Sequence, residues 1–214
     1  MKKIYLHPLP LRIWHWVNAL LGITLLVTGI QLRLPGIASL QPHNTPLLVH
    51  RYVGWAMAAS FIFWLLYSLI SRHLGRQYGI RGQDLKGIFR QARFYLVSIF
   101  RGEENPFQAT FDEKFNPLQK LAYGAIMCIF APVLVITGVL LNDKLFFREY
   151  ILQWDVVGVL DALHVMGAYV FALYLIVHVY MATLGRTATS HIKAMVVGYE
   201  EEPDESEGEV AQKA

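Results

Sequence analysis

Residues 156–184 read VVGVLDALHVMGAYVFALYLIVHVYMATL, with Asp161 as the only Asp, Glu, Lys or Arg. A helix rises about 1.5 Å per residue, so roughly 20 apolar residues cross the hydrocarbon core of a bilayer. Three further stretches, 11–32, 47–70 and 118–141, meet the same criterion. Lipid offers no partner for an open backbone, so each span is predicted to be a helix rather than a strand. The fold expected is an all-α integral membrane protein, a bundle of four transmembrane helices. The first span is too long for a cleavable signal, carries Arg12 and His15, and lacks an A-x-A site. Pro132 falls midway along the third span and is expected to kink it.

Composition points the same way. Hydrophobic residues make up 55% of the 214 and charged residues only 16%, with a mean hydropathy of +0.37. A soluble domain carries about 25% charged residues. A disordered chain, a disulfide scaffold and most soluble enzymes are excluded. The one cysteine, Cys128, cannot form an internal disulfide, an iron–sulfur site or a four-sulfur zinc site. With no C-x-x-C-H in the chain, covalent c-type haem is excluded as well.

The net charge of +3 conceals a division. Residues 200–214 hold seven acids and one base, and the remainder holds 18 bases and 9 acids, a net of +9. In a membrane chain such bases mark orientation rather than nucleic-acid binding. With both termini in the cytoplasm, inner segments carry 15 bases and outer loops only four: Arg33, Arg51, Lys144 and Arg148. The expectation is a multi-pass protein of the bacterial inner membrane. Its membrane domain covers 1–199, with an inner loop at 71–117, and an acidic disordered tail covers 200–214. Within the loop, 83–100 mixes Lys86, Arg90 and Arg93 with Phe89, Phe94, Leu96 and Phe100, a pattern suited to a helix lying on the inner leaflet. No internal repeat is evident.

Histidine carries the chemistry. His7, His43, His73 and His191 fall in loops or at span ends, whereas His15, His50, His164 and His178 lie inside spans, where ionisable groups are costly and mark function. Depth pairs them, with His15 and His178 at the inner level and His50 and His164 at the outer. His164 and His178 are 14 residues apart, which puts them on one helix face about 21 Å apart along the axis. Two histidines per level from facing helices suit bis-imidazole ligation of two non-covalent b-type haems enclosed by the bundle. A zinc site wants four ligands at one point, and a proton relay usually employs Asp or Glu. Interhelical hydrogen bonding is the plainer alternative. Gly22 and Gly29 follow His15 at steps of seven, Gly54 follows His50 and Gly167 follows His164. Such glycines make room for a flat cofactor, or simply let helices pack closely. Arg12 and Arg51 suit haem propionates, or equally interfacial anchoring.

Arg12-Ile-Trp-His15-Trp16-Val-Asn18 opens the first helix, His50 opens the second, and His164 and His178 share the fourth. This pattern resembles the bacterial di-haem cytochrome b membrane subunits of formate dehydrogenase (gamma subunit), nickel–iron hydrogenase and thiosulfate reductase complexes. The resemblance spans residues 5 to about 195. It implies that His50 and His164 hold an outer haem and His15 and His178 an inner one. It also implies electron exchange with a periplasmic iron–sulfur or multihaem subunit outside and with a quinone near the inner haem. Asn116, in Phe115-Asn116-Pro117-Leu118-Gln119-Lys120, is similar to an asparagine that binds quinone in the formate dehydrogenase relatives. The same residues also spell a helix start, with Asn116 as N-cap, Pro117 at the first position and Gln119 completing a capping box.

The function expected is therefore electron transfer between a periplasmic partner and the quinone pool, with substrate chemistry performed by another subunit and no catalytic residue here. The alternatives are a stand-alone di-haem cytochrome b, for example one passing electrons from superoxide to quinone, and a transporter whose histidines are structural.

Overall fold

The four apolar stretches form the four long helices of the computed structural model, which describes residues 2–34, 45–71, 74–75, 78–80, 82–107, 115–142, 156–185 and 187–202. In chain order these elements are strand β1 (Lys2–Tyr5), helix α1 (Leu9–Arg33), α2 (Thr45–Ile70), α3 (Gly82–Leu96), α4 (Pro117–Asn142), α5 (Val156–Ala182), α6 (Ser190–Val197) and strand β2 (Tyr199–Glu202). Helices α1, α2, α4 and α5 are each long and apolar enough to cross a membrane. Their bounds lie within two residues of the predicted spans at every end. Their apolar surfaces are largely exposed, as at Leu20, Ile176 and Tyr169, which are 68–69% accessible. In water that exposure would be prohibitive, whereas in lipid it costs nothing.

The third span absorbs its proline by a local change of pitch. Pro132 has no N–H to offer the carbonyl four residues back, and its ring crowds that group. The turn just before it, Ile126–Phe130, is π-helical, and α-helix resumes at Ala131. A wider turn moves the carbonyl off the ring without ending the helix.

The chain divides into two units, Met1–Ile13 with His73–Ala122 and Ile176–Ala214, and Trp14–Arg72 with Tyr123–Leu175. The second unit holds parts of all four long helices. Polar groups at the crossings find partners on neighbouring helices, as interhelical contacts in lipid require. Asn18 Nδ2 of α1 donates to Ser60 Oγ of α2 at 2.8 Å, and Trp14 stacks on Trp64 at 6.3 Å. Gly22 of α1 faces the Phe171 ring of α5, where an added Cβ would stand 3.1 Å from Cζ. Gly167 of α5 likewise faces Leu134 of α4. These two glycines serve helix packing. At the far end Arg33 of α1 meets Asp161 of α5 at 3.3 Å, an exposed pair of small energetic worth.

The first unit gathers the chain's two ends and its middle loop. Strand β1 pairs antiparallel with β2, setting Lys2 opposite Glu202 and Tyr5 opposite Tyr199. Glu200, Glu201 and Glu202, expected at the head of a disordered tail, thus belong to a two-stranded sheet. The rest of that tail, 203–214, lies outside the described residues, as do His43, His73, Lys144, Arg148, Trp154 and Asp155. Helix α3 is inverted relative to a soluble helix. Its protein-facing side carries Asp84, Gln91 and Phe94, all buried, so Phe94 leaves the outward apolar set in which the sequence had placed it, and Ser98 continues that side just beyond its end. Its outward side carries Leu85, Phe89 and Leu96, with Phe100 beyond, and Phe89, Leu96 and Phe100 are 75–78% exposed.

Candidate functional site

His50 sits in the second turn of α2 and His164 in the third turn of α5, both within the second unit. Their ring centres are 6.2 Å apart and their planes 74° apart. A metal bound between two imidazole nitrogens at about 2 Å each needs ring centres roughly 6 Å apart. Among the described residues no cluster of three or more His, Cys, Asp or Glu side chains is placed to hold a metal ion. The donors close together here are two imidazoles, a number that suits the axial positions of a haem better than a tetrahedral zinc site.

Each ring is held from behind by a neighbouring helix. Thr28 of α1, buried, lies 2.9 Å from His50 Nδ1, and Thr137 of α4, also buried, lies 2.9 Å from His164 Nδ1. The residue after each threonine is glycine. A Cβ at Gly29 would lie 3.5 Å from His50 Cε1, and one at Gly138 would lie 3.2 Å from His164 Cε1. Gly29 thus makes room beside His50 on another helix, although its spacing from His15 had suggested a role there. Thr28, Thr137 and Gly138 were missed. The signal was present as LLVTGI at 25–30 and LVITGV at 134–139. The repeat is six residues long and apolar, so it is easily lost among other membrane-span sequence.

His15 belongs to the second unit and His178 to the first, so their pairing stands on their depth in the sequence. Arg12 donates through Nη1 to the Val196 carbonyl, tying the start of α1 to the end of α6. Its Nε is buried with no hydrogen-bond partner among the described residues. Arg51 is exposed at the start of α2.

Asn116 is buried at 2% exposure and forms the full capping box. Its Oδ1 accepts from the Gln119 backbone N–H at 2.8 Å, and its own N–H donates to Gln119 Oε1 at 3.1 Å. Its Nδ2 donates to the Tyr95 hydroxyl at 3.1 Å. Burial pushes the Tyr95 phenol above its usual value, and hydrogen bonds with Gln91, Asn116 and Asn105 partly offset this. One turn on, Lys120 pairs with Asp84 of α3 at 3.7 Å, both nearly inaccessible. A polar network thus joins α3 to the start of α4, and sequence spacing alone reveals only its capping box.

Two imidazoles close together among helices long and apolar enough to cross a membrane fit one class, the membrane cytochromes b. Residues 6–198 match the prokaryotic cytochrome b561 family, and the chain belongs to it. That membership implies b-type haem and membrane electron transport. The chain is 34% identical over 206 residues to a putative cytochrome, YdhU, of Escherichia coli (strain K12), a match covering 92% of this chain and 75% of that protein. It is 26% identical to a probable Ni/Fe-hydrogenase B-type cytochrome subunit of Bradyrhizobium diazoefficiens, over 84% of this chain and 77% of the relative. It is 25% identical to the similarly described subunit of Azotobacter vinelandii, over 84% and 80%.

Proposed function

We propose that this chain is the membrane-anchoring di-haem cytochrome b subunit of a respiratory complex. It would carry electrons between a redox partner on the outer side and the quinone pool near the inner side. His50 and His164 hold the outer haem in this reading, and His15 and His178 the inner one. The observation that carries it is the 6.2 Å pairing of His50 and His164 from different helices. When bound, haem supplies a reversible one-electron couple. The helices contribute what the cofactor cannot, namely fixed ligands, fixed spacing and exclusion of water. The buried Arg12 Nε, with no protein acceptor among the described residues, supports a propionate contact. Asn116 enters chiefly as the residue that seats the inner end of α4. Relatives described as hydrogenase cytochrome subunits support a catalytic partner outside this chain.

The inverted amphipathicity of α3 supports its placement on the inner leaflet. Its protein-facing side holds Asp84, Gln91 and Phe94, and its exposed side presents Leu85, Phe89 and Leu96 beside Lys86, Arg90 and Arg93, which suit anionic headgroups.

The test is haem content and partnership. The purified chain should show a low-spin bis-histidine spectrum with two haems, of which His164→Ala loses one and His178→Ala the other. A chain that binds no haem, or keeps both haems in the His164→Ala variant, sinks the reading. Isolation of the intact complex should bring down an iron–sulfur or multihaem subunit. Superoxide-to-quinone activity of the chain alone would favour a stand-alone cytochrome.

A further inference from the structure

We propose that Thr28 and Thr137 are paired positioning residues that set the tautomer and the ring planes of His50 and His164, so that each imidazole presents Nε2 toward the iron. The inference rests on the reading of these two histidines as haem ligands.

A threonine hydroxyl has a single hydrogen to donate. Thr28 Oγ1 lies 2.7 Å from the Thr24 carbonyl, which can only accept, so its hydrogen is committed there. Toward His50 Nδ1, at 2.9 Å, the hydroxyl oxygen is then an acceptor and Nδ1 must carry the proton. The neutral ring keeps its lone pair on Nε2. Thr137 repeats every step. Its Oγ1 lies 2.6 Å from the Val133 carbonyl, again four residues back, and 2.9 Å from His164 Nδ1.

Back-bonding of threonine to the preceding turn is ordinary in membrane helices and by itself assigns nothing. Here it recurs on both candidate ligands, with the same atoms, on two different helices. Each threonine is followed by a glycine that leaves the Cε1 edge of the ring its space. The outer site is thus built twice from one unit. A Thr-Gly step on α1 serves the histidine of α2, and a Thr-Gly step on α4 serves the histidine of α5. Hydrogen bonds to the far nitrogen of a ligating histidine fix its orientation and raise its basicity.

Thr28→Val and Thr137→Val remove the hydroxyl while keeping shape and helix compatibility with lipid, and Thr28→Ser and Thr137→Ser restore it. In the full-length chain, each valine variant should raise the midpoint potential of the haem that His164→Ala removes, because a less basic imidazole stabilises ferric iron less. The ferric electron paramagnetic resonance signal of that haem should change shape as the ring is freed to turn. Haem retention at that site should fall roughly 10- to 100-fold, the usual cost of losing such a partner. The other haem should keep its potential, and the serine variants should return all three readouts. Unchanged potential and signal in the valine variants would overturn the proposal. So would an equal shift of both haems, or losses that serine does not restore. Absence in the unaltered chain of any haem that depends on His164 would instead overturn the ligand reading itself, and this proposal with it.

Discussion

At the scale of single residues, the outer site is a matter of ring orientation as much as ligand identity. The His50 and His164 planes stand 74° apart, close to perpendicular. Near-perpendicular axial imidazoles leave the ferric iron orbitals nearly degenerate. A haem held by these two rings, as proposed, should therefore give a strongly anisotropic low-spin signal dominated by one large g-value, readable by electron paramagnetic resonance at liquid-helium temperature. A rhombic signal with three well-spaced g-values would show the planes to be nearly parallel. All four span histidines were legible from sequence, because an ionisable side chain in an apolar run stands out. The threonine partners of His50 and His164 were not, since threonine in a membrane helix is unremarkable until its neighbour across the bundle is known.

At the scale of elements, the long helices were legible to within two residues at each end because a bilayer allows so few solutions. Helix α3 was legible as amphipathic, yet which side met the protein depended on what packed against it. The buried Lys120–Asp84 pair makes that packing specific. Asp84→Asn removes the negative charge set against the buried Lys120 ammonium and should destabilise the α3–α4 junction by about 3–5 kcal/mol. Thermal unfolding of the detergent-solubilised chain would measure the loss, and a change within a few tenths of a kcal/mol would mean the pair is dispensable. The outward stripe makes a separate prediction. In a Cys128→Ser background, a spin label at Phe89→Cys should relax with membrane-soluble oxygen, and one at Lys86→Cys with an aqueous nickel chelate. Preference of both labels for the aqueous reagent would place α3 in the cytosol.

At the scale of the whole molecule, topology follows from strand pairing. Strands β1 and β2 are hydrogen-bonded along their length, so the residues that open and close the described chain lie on one side of any membrane it crosses. The first unit also contains the 73–122 segment, whose many bases led to the expectation of an inner location. Reporter fusions after residue 202 and within 103–107 should both report a cytoplasmic location, and a fusion within 35–44 should report the opposite side. Discordance between the first two would refute the four-span arrangement.

The amino-acid order alone was enough for the four long apolar helices, their ends and the four histidines within them. Each of these depends on transfer between water and lipid, which acts residue by residue and leaves its mark in composition. Tertiary structure was needed for what depends on contacts between distant segments. It assigned Gly29 and Gly138 to the imidazoles, gave Gly22 and Gly167 to helix packing, drew Glu200–Glu202 into a sheet and joined Asn116 to Tyr95. It also set a threonine hydroxyl beside Nδ1 of His50 and another beside Nδ1 of His164. A hydrogen bond is short and directional, and the residues it joins here are 21 to 27 positions apart, beyond the reach of any local pattern.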